Sequence, residues 1–138
     1  GQGRTGNGSG VLMNNEKLSH ELDTIHLIIG RIQESLRAYD DEAFAKNQEA
    51  IDAMAYRLAM VGEHCNRLAA DLRERHPDIP WRKMAGMRNI VSHAYEKIDT
   101  HIVWSAAKVD LPQIEKMIRE ELARIEAERR DRDGGRSR

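Results

Sequence analysis

Arg88-Asn89-Ile90-Val91-Ser92-His93-Ala94-Tyr95 sets an arginine, an asparagine, a histidine and a tyrosine inside a run that otherwise reads as helix. An α-helix turns about 100° per residue. On that period Met84, Met87, Val91, Ala94 and Ile98 fall on one side as an apolar stripe facing a core. Arg88 takes one flank of the stripe and His93 the other, about 140° apart. Ser92, Glu96 and Asn89 fill the polar arc between them, and Tyr95, one heptad past Arg88, shares its line. The stretch therefore predicts an amphipathic helix in an all-α fold, with its polar edge available for chemistry.

The chemistry these side chains suit is phosphodiester cleavage. The planar fork of Arg88 grips a phosphate and stays charged at any working pH. His93 titrates near neutrality and can move a proton to or from a 2′-hydroxyl. Asn89, four residues before His93, can orient it or the substrate. The bare spacing also fits two solvated residues on a helix surface.

Outward from this stretch, the flanking sequence supplies the rest of a bundle. Upstream, Pro77 and Pro80 end one helix and open the next, with Pro80 near its first position and Trp81 packing the turn. Arg82 and Lys83, with Arg73 and Arg75, place positive charge beside the stretch. They are candidate contacts for an RNA backbone, or else solvated loop charges. A long helix from about Ala43 to Ala70 precedes the turn, with Ile51, Met54, Leu58, Val61, Cys65 and Leu68 on one side. Ala55, Ala59, Gly62 and Ala69 would let another helix approach closely. Before an acidic break at Asp40–Glu42, a first helix runs from about Asn15 to Ala38, capped by Asn14 or Asn15. Leu18, Leu22, Ile25, Ile29, Ile32 and Leu36 form its stripe. His20, Asp23 and His26 recur there every third residue. They walk round the helix by about 60° per step, which favours a solvated face over a metal site. Downstream, Asp99 or Thr100 caps a segment whose Ile102, Val103 and Trp104 turn inward. Asp110-Leu111-Pro112-Gln113 reads as a further helix start with Asp110 as N-cap. Ile114, Met117, Ile118, Leu122 and Ile125 carry that helix inward, and a frayed, charged tail follows from Glu126.

Composition agrees. A chain of 138 residues supports one domain. Aromatic residues make up 4%, too few for a typical sheet protein. The formal net charge of −1 gives no global attraction for nucleic acid, so any RNA contact needs a local basic patch. The single cysteine, Cys65, suits a reducing cytoplasm and reads as a core thiol, not a nucleophile. No apolar run approaches the roughly 20 residues that span a membrane, and no secretory signal is evident. Residues 1–12 read as a disordered segment or an expression remnant, with Met13 the natural start. Residues 13–128 are expected to form the helical domain and 129–138 a flexible charged tail.

Arg88-x4-His93-x-Tyr95 resembles the signature of the HEPN superfamily, and more narrowly of the HepT-like toxins. The resemblance extends through Val61-Gly62-Glu63, Ile79-Pro80-Trp81, Gly86-Met87-Arg88-Asn89, Ile98-Asp99, Val103-Trp104 and Asp110-Leu111-Pro112, across roughly residues 15 to 127. It implies an up-and-down bundle of four to five helices that pairs as a homodimer around a composite cleft. It implies a metal-independent ribonuclease without cofactor, the toxin of a toxin–antitoxin system, whose product carries a 2′,3′-cyclic phosphate. Arg88, His93 and Asn89 would be its catalytic residues. Tyr95 would be the residue that a minimal nucleotidyltransferase antitoxin adenylylates. The glycine–glutamate region would lie on a helix beside the motif, so that Glu63, with Ser92 and Glu96, could support the site. For Glu63 a plain surface carboxylate is the other reading. Two further readings of the whole chain stay open: a non-catalytic nucleotide-binding or scaffold module that partners a nucleotidyltransferase, and a helical dimerisation protein.

Overall fold

A computed structural model describes residues 13–90 and 98–136. Among these residues every regular element is helical and no strand occurs. In chain order they are α1 (Asn15–Ala38), α2 (Asp41–Ala45), α3 (Gln48–Leu72), α4 (Trp81–Gly86) with a following 3-10 turn (Met87–Asn89), α5 (Thr100–Ser105) with a following π turn (Ala106–Asp110), and α6 (Leu111–Arg136).

α1 has the limits its pattern predicts. The Asn14 side chain accepts the Lys17 N–H at 2.9 Å, satisfying one of the donors that every helix start leaves open. Leu18, Leu22, Ile25, Ile29 and Ile32 are buried. α3 is the axis of the fold, packing along α1 and against α4, its 3-10 turn, α2 and α5. Its predicted stripe of Ile51, Met54, Leu58, Val61, Cys65 and Leu68 is buried throughout. Each fully buried leucine or isoleucine contributes about 1.5–3 kcal/mol, so these two facing stripes hold the bundle together. Burial pushes the Cys65 thiol up to about 12, so it stays protonated and is a packing group, as expected.

Three sequence expectations are corrected. First, the chain between α1 and α3 forms a helix of its own. The Asp40 carboxylate accepts the Ala43 N–H at 2.8 Å, and the Asn47 side chain accepts the Ala50 N–H at 3.0 Å. Two separate caps start two helices, so the second long helix begins at Gln48 and not near Ala43. The short helix buries Phe44, whose ring centroid lies 4.6 Å from that of Trp104.

Second, Asp110 caps nothing. The chain stays helical from Thr100 to Arg136, and Asp110 is buried within it. Pro112 lacks an N–H and its ring crowds the carbonyl four residues earlier. The wider π turn just before it accommodates that mismatch without breaking the rod. Asp99 does cap α5, accepting the His101 and Ile102 N–H groups. Val103 is buried as expected, but Ile102 is exposed.

Third, α6 continues past Glu126 to Arg136, with exposed side chains from Glu126 through Gly134. Its glutamate, alanine and arginine content favours helix, and Arg124 pairs with Glu128 one turn on. No helix among the described residues is long and apolar enough to cross a membrane.

Candidate active site

The site rests on a close crossing of two backbones. A Cβ added at Gly62 on α3 would lie 2.6 Å from the Met84 carbonyl oxygen and 2.8 Å from the Arg88 nitrogen. Real Cβ atoms do not come so near, so only glycine lets the end of α4 seat here. Met84 and Met87 are buried beneath the turn, leaving Arg88 and Asn89 exposed on its outer side. The 3-10 geometry at Met87–Asn89 changes the expected layout. Such a turn advances about 120° per residue, so Arg88 and Asn89 are spaced more widely round the axis than on a regular helix. His93, Tyr95, Ser92 and Glu96 lie outside the described residues. Glu63 is half-buried on α3 beside Gly62.

Arg88 and Asn89 line an open cleft of about 640 Å³ together with Arg73, Pro77, Ile79, Trp81 and Arg82. Its wall is firmly set. The Trp81 indole N–H donates to the His76 carbonyl at 2.9 Å, and Ile79 and Trp81 are buried. Arg73 comes from the turn just after α3, Arg82 from the first turn of α4 and Arg88 from the 3-10 turn. All three are exposed, and none forms an ion pair with a described residue.

The neighbouring cations Arg75 and Lys83 are placed differently. Arg75 donates through Nη2 and Nε to both carboxylate oxygens of Glu121 on α6, at 2.8 and 3.2 Å. His76 Nε2 lies 2.7 Å from Glu121 Oε2, and Arg124 donates to Oε1 at 3.0 and 3.2 Å. Burial pushes the Glu121 carboxyl up, but the hydrogen bonds from Arg75, His76 and Arg124 outweigh it and hold it at about 2. The same bond to Glu121 raises Arg75 above its ordinary value. Lys83 Nζ sits 2.9 Å from Oδ2 of buried Asp110 in the π turn.

Of the candidates, Arg73, Arg82, Arg88 and Asn89 are thus brought to one cleft, while Arg75 and Lys83 fasten α6 and the π turn. Pro77, Ile79 and Trp81 stand out in the sequence as a helix-ending turn and not as part of a cleft, and the Glu121 clamp goes unrecognised there. Glu121 had a signal, because it falls on the buried stripe Ile114, Ile118, Glu121, Ile125. A glutamate in a core register needs basic partners.

The HepT-like ribonuclease family matches residues 25–121 of the chain. A protein of Thermococcus cleftensis named "Probable ribonuclease HepT" is 34% identical over 100 residues, which cover 71% of this chain and 91% of that one. Two proteins named "Putative RNase" are also similar. One, from Caldanaerobacter subterraneus, is 29% identical over 103 residues, 75% of this chain and 88% of its own. The other, from Methanocaldococcus jannaschii, is 35% identical over 79 residues, 57% and 72% of the respective chains. No solved structure matches the chain significantly.

Proposed function

The chain belongs to the HepT-like ribonuclease family, and from that premise we propose that it is a metal-independent RNA endonuclease and the toxin of a toxin–antitoxin pair. The observation that carries the reading is Arg88, exposed and unpaired among the described residues at the mouth of a cation-lined cleft, as the first residue of Arg88-x4-His93-x-Tyr95. A scaffold has no need of an uncompensated arginine cluster.

In the proposed reaction the substrate 2′-hydroxyl attacks phosphorus. The new P–O2′ bond forms as the P–O5′ bond breaks, leaving a 2′,3′-cyclic phosphate and a 5′-hydroxyl. His93 takes the proton from the 2′-hydroxyl or gives one to the leaving oxygen. Arg88 stabilises the charge that builds on the phosphoryl oxygens. Asn89 positions the phosphate or His93. Two chains related by a two-fold axis would face their motif edges across a shared cleft, making the active form a homodimer.

A cognate minimal nucleotidyltransferase would silence the enzyme at Tyr95. The tyrosine oxygen would attack the α-phosphorus of ATP and release pyrophosphate. The AMP left on Tyr95 would add negative charge and bulk beside Arg88. The cytoplasm is the compartment in which such a toxin meets its RNA. The reaction is tested by cleavage of cellular RNA in EDTA, lost in His93→Ala. The silencing is tested by intact mass after incubation with the nucleotidyltransferase and ATP. A gain of one AMP on the native chain, and none on Tyr95→Phe, is expected.

A further inference from the structure

We propose that Arg73 and Arg82 form a subsite for the phosphates that flank the scissile one, so that the enzyme tracks single-stranded RNA along the cleft beside Arg88. The proposal rests on the ribonuclease reading above and adds to it which cations bind substrate. Four cations crowd this end of the sequence, and the fold sorts them. Arg75 is bound through two nitrogens to buried Glu121, and Lys83 is bound to buried Asp110. Turning either toward a ligand would leave a buried carboxylate short of a partner. Arg73 and Arg82 have no such duty. Both are exposed, neither forms an ion pair with a described residue, and both line the cleft that holds Arg88.

Three arginines line this cleft, and none of its lining residues is a carboxylate. Such a group of positive charges favours the arrival of phosphates. The cleft wall is fixed by the Trp81–His76 hydrogen bond, with Pro77 in the same turn. Little ordering is then needed on binding. Arg82 and Arg88 are six residues apart through a helical turn and a 3-10 turn, about 9–12 Å along the axis. That separation suits different phosphates of one strand better than one phosphate held twice.

The test is equilibrium binding of a short single-stranded 2′-O-methyl oligoribonucleotide, which cannot be cleaved because its 2′-oxygen is blocked. Affinity is measured across a salt series for the full native chain, Arg73→Gln/Arg82→Gln and, as a charge-matched control, Arg130→Gln near the far end of α6. Loss of one phosphate contact lowers the slope of log affinity against log salt by about 0.7 for a single strand. The double variant is expected to lose about 1.4 in slope and to bind more weakly at low salt, with its thermal midpoint unchanged. The control should keep the native slope. A native slope in the double variant, an equal loss in the control, or no oligonucleotide binding by the native chain would overturn the subsite. If ordinary RNA is bound but never cut, the catalytic reading fails while the subsite stands. Intact cleavage with an unchanged slope defeats the subsite alone.

Discussion

Gly62 and Arg88 have nothing chemical in common, yet one close backbone approach joins them. Gly62→Ala would drive a methyl into the Met84 carbonyl and the Arg88 nitrogen. Overpacking of this kind costs about 1–3 kcal/mol, and the turn carrying Arg88 must move to relieve it. The variant is expected to unfold earlier in urea and, under conditions where it is still folded, to lose more RNA cleavage than its unfolded fraction explains. Glu121 makes a second prediction. Its folded carboxyl titrates at about 2, below the ordinary value near 4.5. A depressed carboxyl stabilises the fold above its unfolded value, and that contribution is lost as pH falls from about 4.5 toward 2. The shift corresponds to something on the order of 3 kcal/mol. Glu121→Gln should therefore be less stable than the native chain at neutral pH, and the two stabilities should converge on acidification, as followed by denaturant melts at each pH. At this scale the sequence shows apolar roles more readily than polar ones. The leucines and isoleucines declare themselves by period, whereas two of the partners of Glu121, Arg75 and His76, come from 46 and 45 residues away and leave no local mark.

Helix starts depend on which polar side chain meets which N–H, and the elements differ in how far sequence discloses that. Asn14 and Asp99 cap as their positions suggest. Asp40 does too, but it starts a helix too short to show a period, which is why Phe44 goes unnoticed as a core residue. At Asp110 the local motif of aspartate before Leu-Pro points to a new helix, and tertiary structure overrides it. Exposed Lys83 pairs with the buried carboxylate, and a π turn absorbs Pro112. Lys83→Ala is therefore expected to cost about 1–3 kcal/mol by leaving a buried charge without its partner. Adding Asp110→Asn should recover part of that loss in thermal melts, a coupling that two independent surface residues would not show. The motif helix is the other departure. Its apolar stripe is right at Met84 and Met87, but the coil tightens at Met87–Asn89. A helical wheel assumes one pitch throughout and cannot foresee that change.

For the whole molecule, the bundle was the most legible feature, because long stripes of period 3.6 on α1, α3 and α6 leave little choice of fold. The cleft was legible only as a cluster of charges. Deciding which of them are tied down required the carboxylates on α6 and the π turn, which approach only in three dimensions. The proposed dimer carries its own prediction. If Arg88 of one chain works with His93 of its partner, mixing inactive Arg88→Ala and His93→Ala chains after subunit exchange restores one intact site in each mixed dimer. Statistical mixing should then return about a quarter of the native sites. No recovery from a demonstrably mixed dimer would place both groups of each site on one chain.

The most direct measurement is cleavage of total cellular RNA by the purified chain in EDTA, beside Arg88→Ala and His93→Ala, with intact mass confirming a bare Tyr95. Cleavage by the native chain alone, with cyclic phosphate ends, is the predicted result. Equal cleavage by all three proteins, or none by a native chain with Tyr95 unmodified across varied RNAs, would contradict it.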